Sequence, residues 1–290
     1  NVVAIGSMTI PAMKRTGFSA KYAAAIEACA SAGGPITPPV MGAAAFVMAS
    51  FLNVPYIDVC IAAAIPAFLY FLGLFVQVDC FAAKTGLQGL PKDELPPVWG
   101  TLKEGWYYLG VIVVMTYFLV TLAVEAWAPF YASLALLILS FFKKETRLNW
   151  PSTVKILTDL TGTMVQLVAI LAAAGLLIGG LSVTGVALSF SRELVVAVGN
   201  NTFLILIAGA LTSFVLGLGM PTTACYIFLA VVMVPALTAV DIYPMAAHLF
   251  VFYWGALSDI TPPTALCVAA ACGIARSNFM ETGWTAMKLG

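Results

Sequence analysis

Long apolar runs, separated by short charged or polar stretches, set the pattern of this chain. They fall at residues 1–13, 22–52, 59–79, about 107–124, 128–142, 162–182, 200–218, 224–237 and 245–274. Runs of this length with so few charges predict membrane helices. The 22–52 run is broken around Gly33-Gly34-Pro35, and the 245–274 run is broken in the same way near its middle. The runs 200–218 and 224–237 are short for a span at about 1.5 Å per residue across a hydrocarbon core of about 30 Å. The Gly217-Leu218-Gly219-Met220-Pro221-Thr222-Thr223 tip between them predicts a re-entrant helical hairpin. Residues 152–160 read as an interfacial lead-in, and 183–199 as an amphipathic arm.

Composition agrees with this pattern. Of 290 residues, 62% are hydrophobic and 9% are charged, and mean hydropathy is +1.01, which excludes a soluble domain. Lys plus Arg and Asp plus Glu number 13 each, so net charge points to no nucleic acid. With 14–21, 80–105, 143–155 and 275–290 on the cytoplasmic side, twelve basic residues lie there and Arg192 alone lies opposite, a strong positive-inside asymmetry. The six cysteines form no CxxC pair and sit mostly in apolar runs, so they read as small buried residues.

Both breaks carry the same four residues, Ile36-Thr37-Pro38-Pro39 and Ile260-Thr261-Pro262-Pro263, 224 positions apart. Pro11 and Pro235 share that offset, as do Ala12 and Ala236, and Ala23 and Ala247. The loop KRTGFSAK of the first copy is basic, while TAVDIYP of the second carries only Asp241. The charge rule therefore puts them on opposite sides of the membrane and predicts an inverted-topology repeat. The expected fold is an all-α integral membrane protein of the ion-transporter type, an inverted repeat with re-entrant hairpins and two broken transmembrane helices. Its expected segments are 1–58 (the end of a first hairpin and the first broken helix), 59–151 (scaffold helices), 152–199 (lead-in, span and arm) and 200–290 (second hairpin and second broken helix). The chain opens inside an apolar run with Asn1, so a longer protein is expected, with the first hairpin tip before Asn1.

A helix broken at bilayer depth leaves carbonyls that suit a hard cation and N–H groups that suit an anion. Hydroxyls at Thr37, Thr222, Thr223, Ser258 and Thr261 add further ligands, and Gly33, Gly34, Gly217 and Gly219 let backbone approach a ligand closely. Asp259, a carboxylate at depth, is expected to face a cation, carry a proton or cap a half-helix. Glu27 is read as snorkelling to the cytoplasmic interface, and His248 as hydrogen-bonded to a neighbour. With a single histidine and neither HExxH nor GxSxG, no catalytic constellation is present, so the protein is not read as an enzyme.

GGPITPPVMGAAAF, GLGMPTTACY and SDITPP carry a resemblance to the large membrane subunit of tripartite ATP-independent periplasmic (TRAP) transporters, most closely the TAXI-type fused permeases. The resemblance covers nearly the whole chain and corresponds to the C-terminal part of the family's transport domain. It implies Na⁺-driven import of a small organic acid across the bacterial or archaeal inner membrane by an elevator movement. It also implies a periplasmic solute-binding protein and a small membrane subunit, separate or fused upstream, and no organic cofactor. On the family pattern the cation ligands are Gly33, Gly34, Thr37, Gly217, Gly219, Met220, Ser258 and Thr261. The solute is expected near Pro35, Pro221, Thr222, Thr223 and Asp259. No Lys or Arg lies within the expected core, so the solute's anionic group would rest on helix ends and hydroxyls. The alternative reading is an H⁺-coupled or passive organic-anion carrier or channel that needs no binding protein.

Overall fold

The computed structural model describes residues 2–87, 89, 97–121, 127–141, 148–199, 201–218 and 220–290. Among them the regular structure is helical throughout. The order is α1 (Val2–Arg15), α2 (Ala20–Ala32), α3 (Ala43–Leu52), α4 (Tyr56–Thr85), α5 (Val98–Thr121), α6 (Ala128–Ser140), α7 (Trp150–Thr184), α8 (Val186–Val198), α9 (Thr202–Gly217), α10 (Thr222–Val232), α11 (Val234–Thr238), α12 (Pro244–Ala256), α13 (Leu266–Ala275) and α14 (Phe279–Leu289). Two of these, α4 and the Trp150–Leu181 stretch of α7, are long and apolar enough to cross a membrane by themselves.

Local chemistry sets the ends. The Ser19 hydroxyl accepts from the Tyr22 N–H at the start of α2, and the Asn201 carboxamide accepts from Phe203 and Leu204 at the start of α9. Asn278 caps α14 through the N–H of Glu281. Each supplies an acceptor to donors that the first helical turn leaves open. The lead-in and the following span, expected as two pieces, form the single helix α7. Asp159 and Lys155 interrupt the apolar run without interrupting the helix, because both side chains are exposed and their propensity cost is small against a helix of this length.

The chain divides into two compact units. The first comprises Asn1–Val54, Asp58–Gly89 and Ala174–Gly290, and the second comprises Pro55–Ile57 and Leu90–Ala173. In the second unit α5 packs on α6, with Phe118 stacked on Tyr131 at 4.5 Å. In the first unit α2 lies among α1, α13 and α14, whereas α12 lies against α9 and α10. Alanines make the first of these contacts: Ala23, Ala24, Ala25, Ala28, Ala271 and Ala286 are fully buried. Small side chains bring helix backbones close, which is how packing supplies stability where apolar surroundings remove the hydrophobic drive. Further contacts cross between the two copies: α1 also packs on α13, and α10 also packs on α3.

Candidate functional site

The two ITPP stretches have nearly the same backbone. After α2 a 3₁₀ turn covers Gly34–Ile36, and after α12 another covers Leu257–Ile260. Thr37 (φ −101°, ψ 115°) and Thr261 (φ −102°, ψ 123°) then turn the chain into an extended conformation. Their N–H groups donate to the carbonyls of Gly34 (3.1 Å) and Ser258 (3.2 Å). Their hydroxyls donate to the carbonyls of Gly33 (2.6 Å) and Leu257 (2.7 Å). The bonds Pro38-Pro39 and Pro262-Pro263 are both cis. The helices before the breaks, α2 and α12, have 13 residues each and start 224 positions apart. Those after them, α3 and α13, have 10 residues each and start at 43 and 266, so the second copy is one residue shorter past its prolines.

These hydrogen bonds decide what each hydroxyl can still offer. A threonine that donates to a backbone carbonyl has spent its proton, and its lone pairs remain. Thr37, Thr261 and Ser258, whose hydroxyl donates to the Gly255 carbonyl at 2.7 Å, are all in this state. Hydroxyls so arranged are acceptors and suit a hard cation better than an anion.

The tip between α9 and α10 meets the second break directly. Thr222 donates its hydroxyl to Asp259 at 2.5 Å. A Cβ built on Gly217 would stand 3.2 Å from the Gly255 carbonyl oxygen, 3.2 Å from Ser258 Cβ and 3.3 Å from Cys225 Sγ. The absence of a side chain at Gly217 is therefore what admits α12 to this distance. Met220 donates its N–H to the Gly217 carbonyl (3.2 Å), Pro221 precedes the first turn of α10, and Thr223 is half-buried within that turn. Gly219 lies outside the described residues.

In the first break, Gly33 faces α4: a Cβ there would stand 2.6 Å from Phe71 Cζ and 2.9 Å from Tyr70 Cε1. Gly34 and Pro35 line a cleft of about 420 Å³ with Val2, Ser31, Gly42 and Cys267. Both breaks also border one cavity of about 260 Å³, through Ala32 and Ile36 on one side and Leu257 and Ile260 on the other. Tyr70, Tyr253 and Trp254 are among its lining residues. The hydroxyls of Thr37, Ser258 and Thr261 are not part of its lining, so the expected residues form two clusters, one per break.

Residues 1–289 match the family described as "Tripartite ATP-independent periplasmic transporter, DctM component". The chain belongs to that family. It is 22% identical over 287 residues to a protein named "Isethionate TRAP transporter permease protein DctMQ" from Oleidesulfovibrio alaskensis. The alignment covers 97% of this chain and 44% of that protein, so the chain spans less than half of its relative's length. The DctM family is a membrane transporter component, in keeping with the apolar helices.

This DctM-family chain also contains polar contacts that its sequence pattern did not reveal. Glu27, expected at the interface, is buried at 6% exposure between α1 and α2. It accepts from Thr9 at 2.5 Å and weakly from Ser31 at 3.4 Å. Hydroxyls one helix away and one turn along stabilise the carboxylate in place, where snorkelling would have needed a free route to water. The four-residue spacing of Glu27 and Ser31 is a sequence signal for one of these contacts; nothing local points to Thr9. His248 is hydrogen-bonded as expected, sharing a 2.8 Å bond from Nδ1 with the buried Tyr226 hydroxyl. Among the cysteines Cys80 is exposed, while Cys29, Cys60, Cys225 and Cys272 are buried.

Proposed function

We propose that the chain is the cation- and solute-binding part of a secondary transporter that imports a small organic acid together with Na⁺. The observation that carries this reading is the pair of breaks in which Thr37 and Thr261 spend their protons on backbone carbonyls and keep their lone pairs. Two such acceptor clusters, one in each break, suit a coupling cation. The cation ligands are Gly33, Gly34 and Thr37 in one cluster, and Gly217, Gly219, Met220, Ser258 and Thr261 in the other. Thr222, Thr223, Pro35, Pro221 and Asp259 take the solute.

The repeat is inverted in this reading. The reciprocal packing of α1 on α13 and of α10 on α3 supports it, since a two-fold relation between copies exchanges those pairs. Opening of the α9–α10 tip away from Asp259 admits the solute, and an elevator displacement of the breaks carries it across the inner membrane. A periplasmic binding protein delivers the solute, and a small membrane subunit, separate or fused upstream, braces the moving part. The relative's name makes isethionate the first solute to test beside small carboxylates. The chemistry required is transport, with no bond made or broken.

Full-length protein in liposomes with its binding protein should take up labelled isethionate or carboxylate only under an inward Na⁺ gradient. Uptake indifferent to both Na⁺ and pH gradients would leave the passive carrier as the better reading. Thr261→Val, which keeps the shape and removes the lone pairs, should raise the Na⁺ concentration for half-maximal uptake. The increase should exceed that of His248→Gln, and equal changes would remove Thr261 from the ligand set.

A further inference from the structure

We propose that the cavity bordered by both breaks is a binding site for a small neutral amphiphile carrying one hydroxyl, such as an alkylphenol, and that it is separate from both cation clusters. Its lining follows the repeat. Ala32 and Ile36 come from the first break, and Ala256 and Ile260, each 224 positions later, come from the second. The two copies therefore present the same residues to one space, and an occupant touches both breaks at once. Pro66 and Tyr70 of α4 complete the lining from the same compact unit. Occupancy fixes the spacing of the two breaks, so it also slows the uptake that the transport reading assigns to their movement.

The lining also sets the chemistry of the occupant. None of its side chains carries a charge, so a charged ligand would find no counter-ion there and a neutral one is favoured. An apolar cavity of about 150 Å³ takes benzene. This one measures about 260 Å³, which leaves room for a ring with a short alkyl chain. The polar part of the lining breaks the symmetry: Tyr253 stands where the first copy has Cys29, and Trp254 where it has Ala30. The Tyr70 hydroxyl donates to the Cys29 carbonyl at 2.9 Å, so its proton is already used. The Tyr253 hydroxyl is buried and has no hydrogen-bond partner among the described residues. A hydroxyl in that state is costly, and a ligand hydroxyl relieves it as donor or acceptor alike. A purely hydrocarbon occupant, such as a lipid chain, leaves Tyr253 as it was.

Binding is read on full-length protein in lipid nanodiscs, without Na⁺ or solute, using tritiated 4-propylphenol, with empty nanodiscs as background. Propylbenzene, which lacks the hydroxyl, is the competitor. Wild type should bind 4-propylphenol saturably, and propylbenzene should compete about three- to tenfold less well than unlabelled 4-propylphenol. Tyr253→Phe should lower the affinity for 4-propylphenol by a similar factor. Leu257→Trp, which enlarges a half-buried side chain of the lining, should abolish saturable binding. Absence of saturable binding to wild type would overturn the proposal. Equal affinities for the two compounds would give the cavity to hydrocarbon chains and overturn it as well, as would unchanged binding in Leu257→Trp. If Leu257→Trp does not fold, unchanged affinity in Tyr253→Phe does the same. In liposomes, 4-propylphenol should lower wild-type uptake several-fold and affect Tyr253→Phe less at the same concentration. Uptake indifferent to bound 4-propylphenol would overturn the regulatory role. Because binding is read without solute, a failure of uptake under every condition would count against the transport reading alone.

Discussion

Thr222 and Asp259 are 37 residues apart in the chain, and one hydroxyl proton joins them. Asp259 is half-buried, so the donor from the hairpin tip offsets part of the cost of its charge. Thr222→Val keeps the branched shape and deletes that donor. Leaving a partly buried carboxylate short of a partner should cost about 1–3 kcal/mol. Thermal denaturation in detergent should report the lower stability, and uptake kinetics should show a weaker apparent solute affinity. A variant that matches wild type in both measurements would reduce Thr222 to a surface contact. The sequence marked both residues as site candidates, from a hydroxyl at a tip and a carboxylate in a break. That they meet was not legible, because a contact between distant segments depends on how each helix is rotated about its axis.

At the scale of elements, the α9–α10 tip docks because Gly217 has no side chain. Gly217→Ala would place a methyl group 3.2 Å from the Gly255 carbonyl and the Ser258 side chain, closer than ordinary packing allows. The tip should be held away from the second break, and uptake should fall several-fold while the protein remains folded. Gly179→Ala on α7 is the control: a Cβ there meets nothing within 4 Å, so uptake should be unchanged. Equal effects of the two substitutions would mean that helix propensity, and not docking, is being measured. The breaks were legible because proline removes a donor wherever it stands and needs no tertiary partner to do so. The length of α7 was not, since a polar residue on an exposed helix face looks the same in sequence as one at a helix end.

For the whole molecule, the charge asymmetry makes a statement about sidedness that labelling can check. With exposed Cys80 replaced by Ser, cysteine introduced at Arg192 should react in intact cells with a membrane-impermeant thiol reagent. Cysteine introduced at Lys103 should react only after permeabilisation. Reaction of both from one side would remove the inverted arrangement of the two copies, and the opposite pattern would reverse the orientation of the chain. Within the first unit, α1 and α10 each pack on their own broken helix and on the second half of the other, so neither copy buries its helix faces alone.

The sequence by itself determined the membrane class, the positions of both breaks and the repetition of ITPP at one offset. These follow from composition and from the chemistry of single residues: apolar side chains partition out of water, and proline and glycine act on their own backbone. Tertiary structure decided the rest. It buried Glu27 against Thr9, joined Thr222 to Asp259, and set Gly217 against Gly255. It also placed an apolar cavity, and not the expected hydroxyls, between the two breaks. These outcomes depend on the rotation and close approach of helices far apart in the chain, and alanine-rich faces alike in sequence do not reveal which one a given helix will meet.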